Sequence, residues 1–241
     1  MEKFEVSKND LLSFVELMVL KGEAENKEGI VSFTKDALST YVVSPTQTVA
    51  SRGTLKGQFT DWEELGIDDL GIVKTFLGSL KGDLVTLDHN KNKLKFADAS
   101  GKVKAASVLR NVDYITNSVS PEKFQALLDK AQGNEFILKS EQIEEIIKYA
   151  GTVKSDNFIL KGTGKEITLT VANNQNQIEA KFDIDVDVTD FDVKLPSVVI
   201  DMLGFMKKPV TFSAKTDTPI YLKIEQNNCE FEYIVAPKKK K

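Results

Sequence analysis

The chain contains its own pattern twice. Leu70, Val73, Leu77 and Leu80, followed by VTL at 85–87, return 125 positions later as Leu195, Val198, Met202 and Phe205, followed by VTF at 210–212. KLKF at 93–96 parallels YLKI at 221–224, and VKAASV at 103–108 parallels FEYIVA at 231–236, both at an offset of 128. Helix, strand, turn, strand and strand therefore recur in one order. A period this long is not that of a solenoid, whose repeats run about 20–50 residues. It marks a duplicated domain of about 120 residues.

The halves also begin alike. FEVS at 4–7 leads into DLLSFVELMVL, and FILKS at 136–140 leads into EQIEEIIKYA. In each, a short strand feeds a serine N-cap and then a helix. Four short amphipathic helices are predicted, over about 8–20, 67–80, 141–151 and 196–207. In the third, Ile143, Ile146, Ile147 and Ala150 share one face. In the fourth, Leu195, Val198, Val199, Met202 and Met206 form the buried face, with Ser197, Ile200, Gly204 and Lys207 opposite. In the first, Ser13, Glu16 and Leu20 oppose the core. The rest is rich in strands: 30–33, 38–43, 48–55 and 83–87 carry β-branched residues between turn signals. DHNKNK at 88–93 and GTGK at 162–165 read as hairpin turns. Over DIDVDV at 183–188, strict alternation puts Ile184, Val186 and Val188 on one face. The expected class is α+β, with two strand–helix–strands units per half: residues 1–111, a connector over 112–134, and 135–241. Within the connector a short helix is expected at 121–131, with Ser120 as N-cap and Pro121 at its first position.

Composition excludes several classes of function. No apolar run reaches the roughly 18 residues of a membrane span, and the charged start MEKFEVSKND has no signal-peptide core. One cysteine, Cys229, excludes an internal disulfide framework and fits a reducing, cytoplasmic setting. The formal net charge is −4, and four of the 32 basic residues are the terminal Lys238–Lys241; without them 28 basic side chains face 36 acidic ones. An acidic body makes a poor general ligand for phosphates. The two arginines, Arg52 and Arg110, leave little for bidentate base reading.

Motifs that suggest chemistry dissolve on inspection. A calcium loop starting at Asp183 needs glycine and glutamate where Val188 and Lys194 stand, so Asp183, Asp185 and Asp187 read as an exposed strand face. GTGK lacks the phosphate loop's first glycine and its Ser or Thr, with Ile159 and Glu166 in those places. His89, the only histidine, falls in a polar turn without triad or metal partners. Cys229 falls between predicted strands and reads as an inert small residue. Trp62, in FTDWEEL, is expected to anchor its loop on the core.

The C-terminal stretch 190–241 adds a resemblance. VTF at 210–212, TPI at 218–220 before a lysine-bearing strand, and YIVAPK at 233–238 resemble the DNA sliding clamps, meaning the proliferating-cell nuclear antigen family and its large-phage relatives. The lysine-rich sequence and the connector helix lean towards the phage type, whose setting would be a host cytoplasm. The resemblance implies a clamp fold with helices lining a hole and sheets outside. It implies a homotrimeric ring that encircles duplex DNA without sequence preference, catalyses nothing, takes no cofactor or metal and needs no membrane. Its partners would be a replicative polymerase and an ATP-driven clamp loader. Lys207, Lys208, Lys148, Lys74 and Lys81 would face DNA. Pro219, Ile220, Ala236, Pro237 and Lys238, with Leu38, Tyr41, Val43 and Val119, would border a pocket for partner peptides. Two other readings are a non-ring viral processivity factor, which would need a strongly basic face, and a phage structural or binding protein, which would show no DNA dependence.

Overall fold

The computed structural model describes residues 3–20, 25–90, 92–155, 157–204 and 208–237. They fall into two compact units: residues 3–20, 25–121 and 225–231 form the first, and 122–224 and 232–237 the second.

In the first unit β1 (Phe4–Ser7) runs straight into α1 (Lys8–Val19), because Ser7 Oγ accepts the Asp10 N–H at 3.3 Å and so ends the strand and caps the helix. Four short strands follow: β2 (Gly29–Phe33), β3 (Ala37–Val43), β4 (Val49–Lys56) and β5 (Leu65–Ile67). Asp69 Oδ1 then accepts the Ile72 N–H at 2.9 Å and starts α2 (Leu70–Ser79). Residue 67, placed in this helix by the sequence reading, is instead the last of β5, since the helix cannot begin before its cap. The antiparallel strands β6 (Leu84–Asn90), β7 (Lys93–Asp98) and β8 (Lys104–Arg110) complete the set, and the sheet order is β1-β6-β7-β8-β5-β2-β3-β4.

Apolar alternation decides which faces meet. In β3 Leu38, Thr40 and Val42 point inward and Tyr41 and Val43 outward. Leu11, Phe14, Val15 and Met18 of α1, with Leu70, Val73 and Leu77 of α2, are buried. A second cluster is aromatic: Trp62 sits 4.8 Å from the rings of Phe4 and Phe33 and 4.4 Å from His89. Trp62 thus anchors its loop, as expected. His89 does not lie in the turn: it is a strand residue paired with Leu94 and is 6% exposed. The strand pairing continues as far as Asn90 opposite Lys93.

Ser13 and Leu20, read as outward-facing, are buried. Ser13 Oγ takes hydrogen bonds from Asn227 Nδ2 at 2.9 Å and Gln226 Nε2 at 3.4 Å, which turns a polar helix position into an internal one. The chain around 225–231 also supplies Phe231, whose ring lies 5.5 Å from that of Phe14. Cys229, the first residue of its strand rather than a loop residue, donates from Sγ to the Asp10 carbonyl at 3.3 Å. Burial, then the negative charge of Asp10, push its thiol up to about 12.

The second unit repeats the plan with a different middle. After α3 (Pro121–Lys130) come β9 (Asn134–Leu138) and α4 (Ser140–Val153). Ser140 is the first residue of α4 rather than its cap; Lys139 stands at the cap, its N–H donating to Gln142 Oε1 at 2.8 Å. Then β10 (Asn157–Ala172) and β11 (Gln177–Leu195) form one long antiparallel ribbon. GTGK is no hairpin turn but lies inside β10, at two register shifts around Gly164. The turn is at 173–176, where Asn173 N–H bonds the Asn176 carbonyl at 2.9 Å. Gly164 pairs with Val188 and Glu166 with Asp183, so the intervening β11 residues bulge. That bulge breaks the expected face: Ile184 and Val188 are buried, whereas Val186 is 44% exposed.

The unit closes with α5 (Ser197–Leu203), β12 (Val210–Ala214), β13 (Ile220–Gln226) and β14 (Cys229–Val235), in the sheet order β14-β13-β12-β9. Ile200, assigned to the outer face of this helix, is 9% exposed and belongs to the core. Phe205, Met206 and Lys207 lie outside the described residues. The rings of Phe191, Phe136 and Phe212 stack in a row at 5.9 and 5.6 Å.

Candidate nucleic-acid and partner interfaces

The exposed helix faces are the first place to seek a nucleic-acid surface. α1 exposes Asn9 and Glu16, and α2 exposes the neutral Gly71, Ile72, Thr75, Gly78 and Ser79. α4 exposes Glu141, Glu144 and Glu145 beside Lys148, and α5 exposes Asp201. Among the described residues these faces carry more carboxylates than ammonium groups. Of the five lysines expected there, Lys74 is half-buried and paired with Glu16 at 3.2 Å. Lys148 is exposed among glutamates, Lys81 and Lys208 are exposed beside the ends of α2 and α5, and Lys207 lies outside the described residues. Arg110 is committed to carboxylates within its own unit, Glu28 at 2.9 Å and Asp68 at 3.1 Å. An array of this kind offers phosphates little net attraction.

Sheet edges form the second surface. Residues 104–108 of β8 pair with β7 along one side only, and the β10–β11 ribbon is two-stranded, with both outer edges unpaired among the described residues. Residues 104–108 of β8 present backbone donors and acceptors able to accept another strand, whereas on β11 side chains of Gln142, Asn134 and Thr216 already engage the backbone of Asp183, Thr189 and Asp192, which leaves the stretch 177–182 as the ribbon's corresponding edge.

The partner-pocket candidates divide between the units. In the first, Tyr41, Val43 and Val119 come together. The connector runs beside β3, with Val43 N–H donating to the Asn117 carbonyl at 3.2 Å and Val119 N–H to the Tyr41 carbonyl at 3.4 Å. Leu38 is on the other side of the same strand, 2% exposed and in the core. The two-residue alternation of ALSTYVV separates Leu38 from Tyr41 and Val43, which corrects the expectation that all three border one pocket. In the second unit Ile220 is likewise internal, Pro219 half-buried, and Ala236 and Pro237 exposed. Lys238 lies outside the described residues.

One feature of the second unit escaped the sequence reading. A shallow cavity of about 350 Å³ is lined by Leu128, Ala131 and Gly133 at the end of the connector, with Glu135, Ser213 and Tyr221. Glycine is needed at 133, where a Cβ would stand 2.6 Å from the Ala214 carbonyl oxygen. No motif announces this cavity, because it depends on how the connector lies against β12.

Among the described residues no helix is long and apolar enough to cross a membrane, and no cluster of His, Cys, Asp and Glu is arranged to hold a metal ion. No protein-family model matches the chain, and no curated protein sequence matches it. Solved structures do. The PCNA of A. fulgidus, solved with the C-terminal region of FEN-1 bound, matches over 100% of both chains at a TM-score of 0.83 and 16% identity. The PCNA of Entamoeba histolytica matches over 98% of both chains at 0.79 and 14% identity. The PCNA2–PCNA3 complex of Sulfolobus tokodaii matches over 98% of this chain and 99% of that one, at 0.76 and 14% identity. At such identities the likeness is one of fold, and it runs the whole length of the chain.

Proposed function

We propose that this chain, whose α+β fold is that of the DNA sliding clamps, is a processivity clamp. Three copies close into a ring around duplex DNA, a clamp loader opens that ring, and a replicative polymerase and other replication proteins are tethered to it by short peptides. The observation that carries the reading is the full-length match in fold, at 100% of both chains, to a clamp solved with a peptide region of a partner bound. The one-sided edges of β8 and of the β10–β11 ribbon support it. They are different surfaces, so pairing them between copies is head-to-tail, and such a contact closes into a ring when its rotation allows. Edge pairing would also remove the hazard of leaving those strands open.

The sparse positive charge of the helix faces shapes the mechanism. A ring needs only weak, sequence-independent contacts to slide, and topology rather than affinity holds it on the duplex. Lys148, Lys81 and Lys208 are the remaining described candidates for those contacts. A non-ring processivity factor would have to hold DNA by charge, and the mixture of Glu16, Glu141, Glu144, Glu145 and Asp201 on the helix faces disfavours it.

Threading separates the two modes. At high protein concentration the chain should load onto a linear duplex with free ends and fail to load when both ends carry streptavidin. Equal binding to open and blocked duplexes would show side-on contact and overturn the ring.

A further inference from the structure

The connector leaves β8 through a short 3₁₀ turn, Val112–Tyr114, and passes a buried carboxylate that accepts four hydrogen bonds. Glu28, 8% exposed, stands just before β2. Its Oε1 accepts the Thr116 N–H at 2.8 Å, the Thr116 hydroxyl at 2.9 Å and the Asn117 N–H at 3.2 Å. Its Oε2 accepts Arg110 Nη1 at 2.9 Å. Burial alone would push this carboxyl up, but the bonds from Thr116 and Asn117 and the charge of Arg110 outweigh it and hold it below the ordinary value.

Beyond Asn117 the attachment is weaker. Residues 117–119 lie along β3 through one bridge, Val42 to Ser118, and backbone bonds of 3.2 and 3.4 Å. These bonds join neutral groups, whereas bonds to an ionised oxygen are about twice as strong. The far end of the connector, in the second unit, is held differently. There the neutral Ser213 Oγ accepts the Gly133 N–H at 2.8 Å and donates to the Ala131 carbonyl at 3.2 Å.

We infer that Glu28 is a positioning residue for the connector: its carboxylate pins Thr116 and Asn117 and thereby sets how residues 117–119 lie along β3 and present Val119 beside Tyr41 and Val43. The consequence for partner peptides rests on the clamp reading; the latch itself does not. Once the latch is broken, residues 115–119 open as a local unit while the rest of the first unit stays folded.

Amide hydrogen exchange on the full chain tests this. In Glu28→Ala the amides of Thr116, Asn117 and Val119 should exchange about 100-fold faster, with those of β6 and β7 unchanged, as local opening predicts. Glu28→Gln keeps an acceptor oxygen but loses the charge, and should give about 10-fold at the same amides. Thr116→Val removes one donor and should give a few-fold change. If Glu28→Ala loses protection in β6 and β7 as well, the graded local pattern of the other two variants decides. Unchanged amides at 116–119 in all three, or a loss in Glu28→Gln spread evenly through β2, β5 and β8, would overturn the latch. A second arm titrates the C-terminal peptide of A. fulgidus FEN-1. Binding to the native chain that weakens at least 5-fold in Glu28→Gln supports the partner consequence, and binding that is unaltered removes it. If the native chain does not bind this peptide, the clamp reading loses support while the exchange result stands by itself.

Discussion

Between its two helices the first half of the molecule has four short strands, β2 to β5, of three to eight residues; the second has one ribbon, β10 and β11, of 16 and 19 residues, with register shifts at its centre. After these middle segments the two halves agree. In both, a helix leads to an antiparallel strand pair with apolar cross-strand partners, Leu87 opposite Phe96 and Phe212 opposite Leu222. The middle segments build core as well, Val31, Leu38 and Val42 in the first half and Ile167, Leu169 and Val171 in the second, so the same burial is reached with four short strands in one half and one long ribbon in the other. Both halves also seat a glycine under a phenylalanine ring. A Cβ on Gly53 would stand 2.2 Å from the Phe231 ring, and one on Gly162 would stand 2.2 Å from that of Phe191.

The sharpest way to test this contrast is to remove one aromatic anchor from each half. Phe136→Ala deletes the middle ring of the Phe191–Phe136–Phe212 row and should cost about 3–5 kcal/mol, as for a buried phenylalanine. Trp62→Ala removes a half-exposed ring and should cost less, about 1–3 kcal/mol by the area it buries. Urea unfolding of the two variants measures both, and equal losses would break the asymmetry.

Next in size is the bulged ribbon. Gly162→Ala forces the Phe191 ring to move and should cost about 1–3 kcal/mol. Gly164→Ala would place a Cβ in ordinary contact, 3.9 Å from Asp187 Oδ1, but must hold φ at +56°, and should cost about 1 kcal/mol. If both are neutral by thermal melting, the ribbon tolerates other registers.

Acid should act first on the first half, which contains both Glu28 and Asp98. The bond from the Ser100 hydroxyl, aided by the N–H groups of Lys102 and Val103, holds the Asp98 carboxyl below its ordinary value against the burial that would raise it. A depressed carboxyl contributes stability that is fully present above the unfolded-state pKa and disappears as pH falls through the folded one. Protection at the β7–β8 turn and at residues 116–117 should therefore be constant down to about pH 5 and fall below the ordinary carboxylate range near pH 4. Loss of protection between pH 7 and 6 would contradict both assignments. The smallest effect is at Cys229. With its thiol pushed up to about 12 and buried, it should resist thiol reagents at pH 8 in the native chain and react once unfolded.

Helix positions and the α+β class were legible because they rest on periodicity and local capping, as at Ser7 and Pro121, whereas the clamp likeness came from the resemblance of the motifs at 210–212, 218–220 and 233–238. The duplication was legible for the same reason, although its register was imperfect. The observed pairing of Phe212 with Leu222 against Leu87 with Phe96 puts β7 and β13 126 residues apart rather than 128. A slip of two keeps every side chain on its face, which is why the pattern survived it. What sequence could not show depends on distant chain segments. Ser13 is buried because Asn227 bonds it, His89 because the tilted Trp62 ring packs against it, and Val186 is exposed because β11 bulges opposite Gly164. The candidate site was only partly legible. Val119 lies beside Tyr41 and Val43 through backbone bonds between the connector and β3, but Glu28 was invisible, since its partners lie 82 to 89 residues away.

Native mass across a dilution series, by sedimentation or light scattering, tests the central claim most directly. A ring of three copies predicts a species near three times the 26.8 kDa chain that persists on dilution until it falls to monomer. A monomer at every concentration would contradict the ring and leave a clamp-folded chain that must engage DNA or its partners in another way.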